Sequence, residues 1–369
     1  MPELVVLAEQ LLAPVPGGTG RYTAELLAAL AATAPAGWRV AGVTAWHSDV
    51  ARAAVAGVAG PRRLPLPRRG LAAAWERGLP LWPGGTSVHA PTPLAPPGPR
   101  RGRRLVVTVH DAVPFTHPET LTARGASWHR TMIARATRCA DAVVVPTAAV
   151  AAELRRHAPG PAPVHVVPHG VPAALLAEPD PAQAARVAER LALPERYVLA
   201  VGTIEPRKGL DVLVEAMAGA GAPDLPVVVA GPPGWGGVNL VAIAERHGLP
   251  RERLRLLGRI TDAELAVVLR RAGVLAVPSR AEGFGLPVLE AMAVGVPVVH
   301  SDAPALVEVA GDTTVVTPYG DAAAMTVALR HSVDGDTAQL ITRARRRAAE
   351  FTWSRAAEAV WRVHTGVTS

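Results

Sequence analysis

An α/β chain built from two doubly wound domains is the fold class that three observations on these 369 residues predict. Short apolar runs alternate with longer helical patterns, the βαβ rhythm of a parallel sheet. The rhythm breaks off in a proline-rich stretch, "APGPAPVHVVPHGVPAALLAEPDPAQA" (158–184), and then starts again. The length also exceeds what one compact core usually fills. The expected division is 1–167, 168–350 and a closing segment, 351–369.

In chain order, "ELVVLAE" (3–9) reads as the first strand, followed by the glycine-bearing "PVPGGTGRY" and the helix-like "TAELLAALAATA". "RRLVVTVHD" (103–111) and "DAVVVPT" (141–147) are further strands ending in polar residues. Beyond the proline-rich stretch, which reads as a linker, "RYVLAVG", "LPVVVAG", "RLRLLG", "AGVLAVPS" and "VPVVHSD" are five short strands, each leading into a turn. "FTWSRAAEAVWRVH" (351–364) has apolar residues at helical spacing and is expected to pack back on the first domain. In doubly wound sheets ligands collect at the carboxyl ends of strands, so those ends are expected to face each other across a cleft.

Hydrophobic content of 49% supports buried cores. The single cysteine, Cys139, offers no internal disulfide, and no secretory leader pattern opens the sequence, so a cytoplasmic location is expected. No apolar run reaches the ~20 residues that span a bilayer, which leaves peripheral contact at the inner membrane face as the membrane option. The net charge of +7 is uneven, with "PRRLPLPRR" (61–69) and "RRGRR" (100–104) in the first half. Such clusters suit anionic lipid, or equally are arginines scattered over solvated loops. Aromatics at 4%, not interleaved with the basic residues, speak against nucleic acid. Of 38 basic residues only one is lysine, Lys208.

The most informative stretch is "AEGFGLPVLEAMAVGVPVV" (281–299). A strand ends before it, Glu282, Gly283, Phe284 and Gly285 form a loop, Pro287 suits the first turn of a helix, and Gly295 suits its C-terminal cap. Glycines at a helix entrance let backbone N–H groups approach an anion that the helix dipole favours. With Glu282 before this phosphate seat and Glu290 inside the helix, a phosphate would be flanked by two acids able to accept from hydroxyls. A nucleoside diphosphate sugar has that layout. The plainer reading is an N-terminal acid with a solvated Glu290; the acid pair of a glycoside hydrolase would instead flank one bond from opposing faces.

Three other segments bear on the choice. Gly17, Gly18 and Gly20 lie between the first strand and its helix, but the spacing falls short of the dinucleotide fingerprint, which disfavours a nicotinamide cofactor. Arg207 and Lys208 in "GTIEPRKG" (202–209) would neutralise a departing diphosphate, or are simply surface cations. His110, in "VTVHDAVP" (107–114), stands at a strand end, though a lone histidine is more often structural.

Assembled, these residues resemble the retaining family-4 glycosyltransferases of GT-B fold, two Rossmann-like domains about a cleft. The resemblance runs through "GGTGRY", "VTVHDAVPFTHPE", "VVPHGV", "VGTIEPRKGLDVLVEA", "AGPPGWGG", "LLGRITDAELAVVLRRAGVLAVPS", "EGFGLPVLEAMAVGVPVVHSD" and the closing helix, and its wording is nearest to bacterial mannosyltransferase-type members. It implies that Glu290 holds the donor ribose, that Glu282 lies by the donor sugar, and that the N–H groups of Gly283, Phe284 and Gly285 hold sugar and phosphate. Arg207 and Lys208 would bind the diphosphate, Gly17 and Gly18 the phosphates or acceptor, and His110 the sugar and reaction centre. It also implies a metal-independent reaction with no cofactor, consistent with the lack of a D-x-D motif. The donor would be GDP-mannose or a UDP-sugar, and the acceptor a glycan or a lipid-linked sugar. Thr203 departs from members carrying arginine after the glycine of "VGT", which implies either that Arg207 supplies more of the charge or that the site is weaker. A non-catalytic nucleotide-sugar-binding protein and a nucleotide-sugar epimerase are the alternatives on the same scaffold.

Overall fold

A computed structural model describes residues 1–366, which divide into two compact units. Unit 1 comprises residues 1–170 together with the segment from Phe351; unit 2 is Val171–Glu350. The chain therefore leaves unit 1 after Gly170, three residues beyond the expected boundary.

Unit 1 is a seven-stranded, wholly parallel sheet of β1 (Glu3–Leu7), β2 (Arg39–Trp46), β3 (Ala59–Pro67), β4 (Ser87–Ala90), β5 (Arg104–Thr108), β6 (Ala142–Val145) and β7 (Val164–Val166), ordered β3-β2-β1-β4-β5-β6-β7. Central strands such as β1 and β4 are buried along their whole length, as expected of strands covered on both faces. Two stretches differ from their sequence reading. The basic cluster at 61–69 lies mostly in β3, an edge strand, where prolines are tolerated because one side needs no ladder donor. The stretch read as a linker contributes β7 at the other edge, paired with β6.

The closing helix, Trp353–Thr365, does return to unit 1. Trp353, Ala357, Val360 and Trp361 enter one core with Leu26, Leu27 and Leu30 of the helix Gly17–Ala32, and Trp361 Nε1 donates to the Leu30 carbonyl at 3.1 Å. Gly170, where the chain leaves, lies so close to this helix that a Cβ would sit 2.3 Å from Trp353 N.

Unit 2 has six parallel strands, β8 (Val198–Val201), β9 (Val227–Ala230), β10 (Leu254–Gly258), β11 (Val274–Val277), β12 (Val298–Ser301) and β13 (Val315–Thr317), ordered β10-β9-β8-β11-β12-β13. Relabelled from one, this is the 3-2-1-4-5-6 order of a doubly wound sheet, with the strand order reversing between β8 and β11. In unit 1 the same reversal falls between β1 and β4.

Candidate active site

The reversal in unit 2 is where ligands are expected, and the loops leaving β8 and β11 carry most of the singled-out residues. The β8 loop brings Glu205, Arg207 and Lys208; the β11 loop brings Ser279 and Glu282. Arg280 N donates to the Arg207 carbonyl at 2.8 Å, tying the loops together. Gly209 lets them meet, since its φ is +60° and a Cβ there would lie 2.1 Å from the Pro278 carbonyl oxygen.

Three residues that the sequence assigned to two tasks, Arg207 and Lys208 to the diphosphate and Glu282 to the donor sugar, form one ionic cluster. Lys208 Nζ lies 2.6 Å from Glu282 Oε1 and Arg207 Nη1 lies 3.0 Å from Glu282 Oε2. Ser279 Oγ donates to Glu282 Oε1 at 2.7 Å, and Arg207 Nη2 reaches Glu205 Oε1 at 2.8 Å. The Glu282 side chain is only 9% exposed. Burial alone would push its carboxyl up, but Lys208 and then Arg207, with the hydrogen bonds from Lys208 and Ser279, outweigh that and hold it at about 2. Glu282 is therefore a fixed anion. Arg207 is engaged on Glu282, Glu205 and the Ala281 carbonyl, whereas Lys208 gives one of three Nζ donors to Glu282. Lys208 is thus the cation with donors to offer a ligand, and Arg207 is mainly the residue that holds Glu282.

Beyond this cluster, Gly283, Phe284 and Gly285 are buried at the entrance of the helix Leu286–Val294. Gly285 has φ +91° and a Cβ would lie 2.4 Å from Leu306 Cδ2, so only glycine fits. Glu290 is 1% exposed, which rules out a solvated helix acid. Ser279 and Glu205 were missed in sequence. A polar residue directly beyond an apolar strand was the available signal for Ser279.

In unit 1, Gly17 and Gly18 open the 16-residue helix Gly17–Ala32; both are exposed and no side chain caps that end. His110 follows β5, and its Nε2 lies 2.8 Å from the Pro91 carbonyl just beyond β4, beside the order reversal. A carbonyl only accepts, so Nε2 carries the proton. Burial lowers the pKa, against smaller opposing effects from the Pro91 bond and Asp111. The neutral ring therefore presents Nδ1 as an acceptor. Tyr22, missed in sequence, sets its ring edge-on to His110 at 4.6 Å and bonds Thr108 Oγ1 through its hydroxyl at 2.9 Å.

Two family models match: "Glycosyltransferase Family 4" over residues 16–175 and "Glycosyl transferases group 1" over 163–348. The chain is 30% identical over 261 residues to O-antigen chain mannosyltransferase B of Escherichia coli, covering 69% of this chain and 68% of that protein. It is 36% identical over 245 residues to D-inositol 3-phosphate glycosyltransferase of Salinispora arenicola, covering 61% and 54% respectively, so it spans about half of that relative. Among solved structures, sucrose-phosphate synthase of Thermosynechococcus elongatus superposes with TM-score 0.75 at 22% identity, with 99% of both chains covered. Anabaena HepE in complex with UDP-glucose gives TM-score 0.75 at 18% identity over the full length of both chains.

Proposed function

Because this chain belongs to the glycosyl transferases group 1, as a family-4 glycosyltransferase of GT-B fold, we propose that it moves a hexose from a nucleoside diphosphate donor to a hydroxyl of a glycan or lipid-linked acceptor, retaining the configuration at the anomeric carbon. The observation that carries this reading is the Lys208–Glu282–Arg207 cluster at the strand-order reversal of unit 2. Mannose from GDP-mannose is the preferred donor assignment, supported by the mannosyltransferase relative. A UDP-sugar is the other, supported by the UDP-glucose held by HepE.

In the proposed mechanism the C1–phosphate bond breaks and the acceptor oxygen bonds C1 on the same face. The acceptor's proton passes to the phosphate oxygen that leaves. No protein nucleophile is required, so the protein's contribution is positioning and charge stabilisation. The spare donors of Lys208 meet the charge that grows on the diphosphate. Glu282, kept ionised, accepts from sugar hydroxyls, and Glu290 holds the ribose. Gly283, Phe284 and Gly285 place the helix entrance against the phosphates. His110 accepts a sugar hydroxyl through Nδ1, and Gly17 and Gly18 offer backbone donors to an anionic group. Among the described residues no helix is long and apolar enough to cross a membrane. The exposed Arg100, Arg101 and Arg103 are proposed to meet anionic lipid, and flotation with phosphatidylglycerol vesicles at low salt should carry the protein upward.

The primary test is a thermal-shift panel of GDP-mannose, UDP-glucose, UDP-N-acetylglucosamine and NAD on wild type and Lys208→Ala. One nucleotide sugar should raise Tm, and less so in the variant. A shift with NAD alone would overturn the reading.

A further inference from the structure

Four ring side chains of unit 1 form a continuous cluster that ends on His110. Tyr22 sets its ring edge-on to His110 with centroids 4.6 Å apart, and lies 4.6 Å from His169 and 5.9 Å from Trp353. His169 in turn lies 5.7 Å from His110 and stacks on Trp353 at 5.7 Å, their planes 14° apart. Tyr22, His169 and Trp353 are all buried, whereas His110 is half-buried and is the member that reaches solvent.

The rings come from four separate places in the chain. Tyr22 stands one turn beyond Gly18 in the helix Gly17–Ala32, and His110 two residues beyond β5. His169 directly precedes Gly170, where the chain leaves unit 1, and Trp353 opens the closing helix. A Cβ on Gly170 would lie 2.9 Å from Trp353 Cγ, so the departing and returning segments meet at these rings. The Tyr22 hydroxyl bonds Oγ1 of Thr108, the buried last residue of β5, at 2.9 Å. Tyr22 is therefore tied to the strand that carries His110.

A hydrogen bond fixes the direction of one ring atom but not the plane of the ring. Among the described residues the His110 ring makes one, from Nε2 to the Pro91 carbonyl at 2.8 Å. Turning about that line would swing Nδ1 aside, and an aromatic edge at 4.6 Å with a second ring at 5.7 Å blocks the turn. We propose that Tyr22 is a positioning residue for His110, its ring, backed by His169 and Trp353, holding the imidazole plane so that Nδ1 stays turned toward the sugar hydroxyl. This rests on the glycosyl-transfer reading for the role of His110, but the hold on the ring can be measured without donor or turnover.

Two variants of the full chain separate the Tyr22 ring from its hydroxyl: Tyr22→Leu removes the ring and Tyr22→Phe keeps it. The His110 Cε1–H resonance, identified by its loss in His110→Gln, is titrated in each. The ionisable neighbours of His110, namely Asp111, His89 and His169, are the same in both. Wild type and Tyr22→Phe should titrate alike, below the ordinary 6.5, because the cover that lowers His110 is intact. In Tyr22→Leu the midpoint should rise by about half a pH unit or more as water reaches the ring. Turnover is read as GDP released from GDP-mannose or UDP from UDP-glucose, whichever donor raises Tm. Tyr22→Leu should lower kcat about tenfold with KM within about twofold, and Tyr22→Phe should recover most of that loss. If Tyr22→Leu does not fold, His169→Gln removes the second ring and should raise the His110 midpoint in the same way, with kcat about threefold lower. An unchanged midpoint in folded Tyr22→Leu or in His169→Gln would overturn the proposal. So would an equal fall of kcat in Tyr22→Phe and Tyr22→Leu, or an effect of Tyr22→Leu on KM alone. A midpoint that moves as expected while His110→Gln turns over at the wild-type rate would support the hold on the ring and sink only the role given to His110.

Discussion

Lys208 shows how far a single residue can be read. Its rarity was visible, since it is the one lysine among 38 basic residues, and so was its place in a strand-to-helix loop. Its partner was not, because Glu282 lies 74 positions away and only the β8–β11 adjacency joins them. The same adjacency also engages Arg207, read in the sequence as a diphosphate ligand, on Glu282. Two substitutions test the division of labour. Lys208→Ala should lower turnover roughly 100-fold, read as nucleotide release from whichever donor raises Tm. Lys208→Arg should lower it about tenfold, because a planar guanidinium cannot hold the compact 2.6 Å contact to Glu282 and still direct donors at a phosphate. Wild-type turnover in Lys208→Arg would mean that charge alone suffices at this position.

At the scale of elements, strands that end in abrupt polar turns were legible, which is why "VLAVG" and "VLAVPS" were placed correctly as β8 and β11. The edge strands of unit 1 were not, because β3 and β7 are interrupted or flanked by prolines that mimic loops. Gly209 couples two elements, and Gly209→Ala sets both a left-handed φ and a 2.1 Å contact against the chain. It should cost at least about 2 kcal/mol, seen as a lowered Tm, and should weaken donor binding as Lys208 moves. A second coupling was hidden by its sequence separation of 275: His89 Nδ1 lies 3.1 Å from His364 Nε2. It belongs to a buried chain in which Tyr22, Thr108, His89, His364 and Ser87 follow one another at 2.9, 3.0, 3.1 and 2.6 Å. Only one orientation gives every hydrogen an acceptor, running from the Tyr22 hydroxyl to Ser87, which donates on to the Arg104 carbonyl. His89 and His364 should therefore both carry their proton on Nδ1, while His110 carries it on Nε2. Long-range proton–nitrogen spectra of the histidines distinguish the tautomers, and Nε2–H on His89 would show that the chain runs the other way.

For the molecule as a whole, these buried histidines set a pH dependence that differs between the units. Burial, followed by the proximity of His110, holds His89 down at about 3, and His169 and His364 lie well below the ordinary 6.5 for the same first reason. His110 is lowered as well. All four belong to unit 1, whereas in unit 2 His300 is lowered, by burial. A histidine with a depressed folded pKa takes up its proton only on unfolding in the window beneath 6.5. Its stabilisation is therefore complete above 6.5 and is lost as pH falls, by about 1.4 kcal/mol per pH unit for each fully neutral group. All four act in the same direction, so unit 1 loses stability as the pH falls below 6.5. Glu282, at about 2 against 4.5, works in the same direction in unit 2 but only below 4.5. Unit 1 should thus fail first in mild acid. Tryptophan emission isolates it, since Trp38, Trp46, Trp75, Trp82, Trp128, Trp353 and Trp361 lie there and unit 2 has only Trp235. Urea unfolding at pH 7.5 and 5.5 should show the emission midpoint falling steeply while part of the far-ultraviolet helical signal persists to higher urea. Emission and helical signal moving together by the same amount would mean that the units unfold as one, and that the buried histidines do not single out unit 1.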